Sequence, residues 1–152
     1  MSFDYTKQPD EFWAKNLEAD TLKVCRLGGT EKPGTGQYDH FYEDGTYYCA
    51  ACGGDYALFE SSTKFNSGTG WPSFFEAIKA HVIERVDPHD QQRGFNMQRT
   101  EVMCGRCHSH LGHVFNDGPQ PSGQRYCMNS AALVFVKAGQ QPKRTYIVEE
   151  ES

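Results

Sequence analysis

The sequence predicts a mainly β, antiparallel domain fronted by short N-terminal helices. Short β-rich runs recur from Tyr47 onward, turn residues separate them, and no strand–helix alternation of the α/β kind is present. The 152 residues are enough for one domain with a real core and too few for two. Residues 1–152 are therefore read as a single domain, with a helical N-terminal arm over 1–30 and a β core over 45–148.

Taken in order, Pro9-Asp10-Glu11 ahead of Phe12-Trp13 marks a helix start, with proline and acids in the first turn. Asp20 is placed to cap a second short helix that runs toward Cys25 and stops at Gly28-Gly29. Residues 28–46, rich in Gly, Thr, Pro and Asp, read as an irregular arm. Strands are expected at Thr46–Tyr48, His81–Val86, Glu101–Met103, His113–Phe115, Ala132–Val136 and Thr145–Val148. The acidic tail Glu149–Glu151 is expected to fray.

Composition removes several function classes. A formal net charge of −5 argues against a dedicated nucleic-acid binder, which needs a basic face to neutralise phosphates. No apolar run approaches the roughly 20 residues that span a bilayer, so no membrane association is expected. Met1-Ser2-Phe3-Asp4-Tyr5 lacks the basic and apolar segments of a secretory signal. A soluble, cytoplasmic protein is the expectation. In that compartment six cysteines are poor candidates for structural disulfides.

The cysteines fall as two C-x-x-C pairs, Cys49 with Cys52 and Cys104 with Cys107, plus Cys25 and Cys127 alone. A C-x-x-C turn presents two thiolates on one edge of a tetrahedron, and a second turn supplies the other edge. Zinc favours four sulfurs in this arrangement, and four protein ligands leave no position for chemistry. A structural zinc ion follows, with binding energy on the order of 10–16 kcal/mol coupled to folding. The 51 residues between the pairs must then form β structure inserted between two knuckles. A thioredoxin-like reading of either pair lacks the βαβ context. Cys104-Gly-Arg-Cys107-His108 also matches c-type haem attachment, but that leaves Cys49 and Cys52 unexplained. A Cys2His2 site using His110 and His113 has too short a histidine spacing.

Chemistry is expected at Gln124-Arg125-Tyr126-Cys127-Met128-Asn129-Ser130. On an extended chain Arg125, Cys127 and Asn129 share one face. A cation two residues from a thiol favours the thiolate, against an unperturbed pKa of about 8.5, and an amide beyond it can orient a partner. The competing reading is a buried cysteine acting as a small apolar residue. His110-Leu-Gly-His113-Val-Phe115-Asn-Asp117 adds imidazoles and a carboxylate, and histidine donates a proton near neutral pH. On a regular strand His110 and His113 face opposite ways, so both reach one site only if Gly112 bends the chain. Ser67-Gly-Thr69-Gly-Trp71-Pro72-Ser73 is glycine-rich but lacks the Lys-Ser/Thr of a phosphate loop. Trp71 and the following Phe74 and Phe75 form either an apolar wall or core.

Together these elements resemble a B-type methionine sulfoxide reductase. The likeness rests on both knuckles, on Lys64–Phe74, on His110–Gly118 and on Arg125–Ala131, in family order across roughly residues 25–136. It implies two antiparallel sheets of the β-tent type with zinc far from the active site. It implies reduction of the R epimer of methionine sulfoxide, chiefly in oxidised proteins. Cys127 would attack the sulfoxide sulfur, with His110, His113, Asp117, Arg125 and Asn129 as the polar site. Trp71 and Phe115 would line the substrate, and one of the two imidazoles, His113 as the first candidate, would give the proton. Cys127 would be left as a sulfenic acid, and a disulfide formed from it would be reduced by thioredoxin or another dithiol. Many relatives place the recycling cysteine where this chain has Thr69, so Cys25 becomes the resolving candidate, within about 7 Å of Cys127 or after arm movement. Direct reduction by an external thiol is the alternative. A non-catalytic zinc-binding interaction module on the same fold is the rival from another class.

Overall fold

The computed structural model describes residues 3–90 and 99–148; the expected frayed tail at 149–151 lies outside them. Helix α1 (Asp10–Asn16) starts after Pro9 with Asp10 and Glu11 in its first turn, where carboxylates meet the positive end of the helix dipole. Helix α2 (Ala19–Cys25) starts earlier than expected. Glu18 holds the N-cap position and its carbonyl accepts the Leu22 N–H, so Asp20 falls inside the first turn. Its stop is where the glycines predict. Gly28 takes a φ of 72° and Gly29 N–H returns to the Lys23 carbonyl at 2.8 Å. Trp13 buries the helical arm against the body, with the Arg26 guanidinium over its ring at 4.3 Å.

Among the described residues nine strands follow: β1 (Gly45–Cys49), β2 (Ala57–Glu60), β3 (Lys64–Phe65), β4 (Ser73–Phe74), β5 (Val82–Val86), β6 (Thr100–Cys104), β7 (His110–Phe115), β8 (Arg125–Met128) and β9 (Leu133–Lys137). They form two antiparallel sheets, in spatial order β2-β1-β9 and β3-β4-β8-β7-β6-β5. Phe59 of the first sheet stacks on Phe74 of the second at 4.4 Å, and Tyr47 meets Phe74 edge-on at 5.1 Å. Those rings, with Leu58, Val102, Leu111 and Met128, are fully buried in one core.

The expected strand at Thr145–Val148 is absent. The chain bends at 145–146, where Thr145 N–H bonds the Gly53 carbonyl at 2.8 Å. Tyr146 hydroxyl donates to the Ala51 carbonyl, while Ile147 is exposed. The segment ties down the first knuckle instead of extending a sheet. Among the described residues no helix is long and apolar enough to cross a membrane.

Both C-x-x-C pairs are hairpin turns. Between β1 and β2 the chain turns through Gly53 and Gly54, at φ of 104° and 80°, and Gly54 N–H reaches the Cys49 carbonyl. Between β6 and β7, Cys104 N–H bonds Ser109 and His108 N–H bonds Cys104, both at 2.9 Å.

Candidate active site

Strand register assembles the site. Ser73 of β4 lies opposite Cys127 of β8, Cys127 opposite His113 of β7, His113 opposite Glu101 of β6, and Glu101 opposite Arg85 of β5. Directly opposed residues share a face, with Cβ atoms about 4.5–5.5 Å apart, so these five form one polar row. The alternating positions Phe74, Tyr126, Val114 and Met128 face the core and are buried. Five of the six cysteines are buried; Cys127 is the one that is partly accessible.

His110 joins this face through a bulge. Gly112 pairs with Val102, yet His110 pairs with Met103, so Leu111 is an extra residue in β7. The two imidazole centroids come within 5.3 Å. The bend expected at Gly112 is thus a bulge beside it, and glycine is required there. A Cβ on residue 112 would stand 2.1 Å from the Cys127 carbonyl oxygen.

Each histidine is held by a carboxylate that sequence reasoning missed. His113 Nε2 lies 2.7 Å from Asp87, and His110 Nδ1 lies 2.6 Å from Glu101. Glu101 also accepts from Arg85 Nε at 2.7 Å, and Asp87 accepts from His89 N–H. His110 Nε2 is buried with no hydrogen-bond partner among the described residues. Burial pushes His113 below its ordinary value, and the bond to Asp87 opposes the shift. Burial would raise Glu101, but its bonds to His110 and Arg85 outweigh it and hold the carboxyl low. Asp87 follows β5 in a Val-Asp-Pro stretch that reads as an ordinary turn, and Glu101 sits inside an apolar strand, so only the register shows what either faces. Asp87, Asp90 and His113 also cluster within 4.8 Å, but Arg99 occupies Asp90 with a 2.8 Å ion pair.

Around Cys127 the remaining candidates divide. Arg125 makes a fork with Asp117, at 2.9 and 3.1 Å, and its guanidinium covers the Phe115 ring at 4.3 Å. Burial raises the Cys127 thiol; the Thr69 hydroxyl and then the Arg125 charge pull it back. Asn129 lies just past β8, and its amide is used structurally. Nδ2 donates to the Leu111 carbonyl at 2.9 Å and Oδ1 accepts the Glu31 N–H at 3.0 Å. Glu31, also missed, then accepts from Trp71 Nε1 at 3.0 Å. The indole is therefore oriented by the arm that Asn129 holds.

Cys25 ends α2, buried at 3% exposure. Burial pushes its thiol well above the ordinary range, and the charges acting on it are those of Cys107, Arg26 and Cys52. It is a free thiol beside the knuckles.

The four knuckle sulfurs lie within 4.8 Å of one another and are buried. Cys49 to Cys107 and Cys52 to Cys104 are both 3.8 Å. A tetrahedral ion with bonds of about 2.3 Å sets its sulfurs about 3.8 Å apart, so the set fits a metal ion of zinc's preferences. Four buried thiols this close cannot all ionise without a cation to balance them. A divalent cation would let all four ionise together. Arg106 reinforces the cluster from outside, donating Nε–H to Cys52 Sγ at 3.2 Å.

Comparison with known proteins gives a consistent result. The SelR domain family profile matches residues 17–137. The chain is 48% identical over 136 residues to the peptide methionine sulfoxide reductase MsrB of Saccharophagus degradans, covering 90% of this chain and 97% of that protein. The MsrB of Leptospira interrogans is 47% identical, covering 90% and 99%. That of Methanosarcina mazei is 48% identical, covering 90% and 94%.

The His113–Asp87 pair carries a pH signature. Because His113 titrates below its ordinary 6.5 when folded, the unfolded chain binds more protons between the two values. The stability tied to His113 is therefore complete above 6.5 and is lost as pH falls through 6.5 toward the folded value. Asp87→Asn removes the influence that opposes burial, so His113 should titrate lower still and this window should widen toward acid. NMR titration of the His113 ring protons reads the shift; an unchanged or raised value would contradict the assignment.

Proposed function

We propose, for a chain that belongs to the B-type methionine sulfoxide reductase family, that Cys127 is the thiol that takes the oxygen and that the R epimer, chiefly in oxidised proteins, is its substrate. The family makes the protein an oxidoreductase that reduces methionine sulfoxide. The observation that supports Cys127 is its place: the one partly accessible cysteine, opposite His113 on one strand and Ser73 on the other.

The Cys127 thiolate attacks the sulfoxide sulfur. His113 uses Nε2–H on Asp87; having taken the Cys127 thiol proton on Nδ1, the imidazolium gives it to the sulfoxide oxygen. The S–O bond to methionine breaks, the hydroxyl ends on Cys127 Sγ, and methionine leaves. Methionine sulfur is reduced by two electrons and Cys127 is oxidised to a sulfenic acid. Arg125, held by Asp117, stabilises the thiolate beforehand, and Trp71 with Phe115 forms the wall for the substrate methyl.

For recycling, Cys25 attacks Cys127 Sγ, water leaves, and the Cys25–Cys127 disulfide is reduced by thioredoxin or another dithiol. The burial of Cys25 beside Cys107 requires α2 to leave its seat first. The same burial favours a second reading, in which an external thiol attacks the sulfenic acid directly. One structural zinc, held by Cys49, Cys52, Cys104 and Cys107, would neutralise the crowded thiolates and stabilise the fold without taking part in turnover.

Reduction of dabsyl methionine R-sulfoxide with dithiothreitol should fall about a thousandfold or more in Cys127→Ser; wild-type turnover would overturn the mechanism. Cys25→Ser should keep dithiothreitol-driven turnover and lose thioredoxin-driven turnover, whereas full thioredoxin-driven turnover would transfer recycling to direct reduction. Metal analysis should return one zinc per chain, lost together with soluble protein in Cys104→Ala. A folded, metal-free chain would refute the structural ion.

A further inference from the structure

The glycine-rich loop carries a chain of hydroxyls that ends on the nucleophile. Thr69 Oγ1 lies 3.8 Å from Cys127 Sγ, Ser67 Oγ lies 2.8 Å from Thr69 Oγ1, and Ser73 Oγ lies 2.7 Å from Ser67 Oγ. Ser73 is wholly buried and can donate to the Trp71 carbonyl at 3.1 Å. Trp71 N–H points at Thr69 Oγ1 from 3.4 Å and fixes that oxygen.

Each hydroxyl has one proton to give, so the chain runs in one direction at a time. With Cys127 as a thiol, S–H points at Thr69, Thr69 donates to Ser67, Ser67 to Ser73, and Ser73 to the Trp71 carbonyl. With Cys127 ionised, rotation of the three hydroxyls reverses the order. Ser73 donates to Ser67, Ser67 to Thr69, and Thr69 to the thiolate. No heavy atom moves, and the ionised sulfur gains a donor strengthened by the two behind it.

We propose that Thr69 is a catalytic residue, whose hydroxyl, backed by Ser67 and Ser73, donates to the Cys127 thiolate and keeps it reactive against burial. This rests on Cys127 as the nucleophile. Other groups face the sulfur too. Among the described residues they are Arg125 on its own strand, with Asp117 on that guanidinium, and His113 on β7, with Asp87 behind it and the His110 ring, held by Glu101, 5.3 Å from its own. From β4 and the loop come hydroxyls only, so the contribution of this side carries no charge and can be removed without altering the ion pairs. Thr69 is the largest influence that opposes burial at Cys127.

The test is the pH dependence of Cys127 alkylation by iodoacetamide in the zinc-loaded full chain, followed by mass spectrometry at that residue. Thr69→Val replaces the hydroxyl with a methyl of like shape. Its midpoint should rise by about half to one unit, which lowers the rate at pH 7 about three- to tenfold with the same plateau at high pH. Thr69→Ser, which keeps the donor, should stay within about twofold of wild type, and Ser67→Ala should shift the same way by less. An unchanged midpoint in Thr69→Val, or an equal shift in Thr69→Ser, would overturn the proposal. Alkylation reports thiol ionisation alone, so this result stands apart from whether Cys127→Ser turns over sulfoxide.

Discussion

The register of β7 against β8 is the constraint on which the site depends. A slip of one residue would turn Cys127 toward the core and Tyr126 out of it. Two contacts hold the register where it is. Gly112 lets the strands approach to a distance at which any side chain would strike the Cys127 carbonyl. Asn129 then clasps the bulge, since its backbone N–H and its Nδ2 both donate to the Leu111 carbonyl, at 3.0 and 2.9 Å. The bulge is what gives the cysteine two imidazoles on one face instead of one.

The knuckles act on the same register from a distance. The second knuckle is the turn that joins β6 to β7, so whatever fixes Cys104 and Cys107 also fixes Glu101 opposite His113. The first knuckle holds β1 to β2, whose Phe59 stacks on Phe74, one residue from Ser73 in the polar row. Four sulfurs thus brace both sheets while a fifth remains accessible. The arm adds a third support. Asn129 holds Glu31, and Glu31 holds the Trp71 indole, so departure of the arm would also release that ring.

Much of this was legible in the residues. The paired spacing of four cysteines announced a shared cluster, and the alternation around Cys127 placed Arg125 beside it. What the sequence hid was long-range pairing. The two-residue strands β3 and β4 owe their form to their neighbours, and Ala57–Glu60 has too few β-branched residues to stand out. Thr145–Val148 has the right residues for a strand but meets a knuckle where a ladder partner would be needed. Asp87 and Glu101 look like ordinary surface acids until the strand pairing sets them against the histidines, and Glu31 acts through backbone groups that no sequence pattern marks. Asn129 reads as an amide on the Cys127 face able to orient a partner, and the partners it has are backbone groups, the Leu111 carbonyl and the Glu31 N–H.

The most direct test is a thiol map of the reduced Cys25→Ser protein after one equivalent of methionine R-sulfoxide, with dimedone to trap sulfenic acid. The account predicts one equivalent of methionine and a single dimedone adduct, on Cys127, with the knuckle cysteines unmodified. Methionine formed while residue 127 remains a free thiol would contradict it.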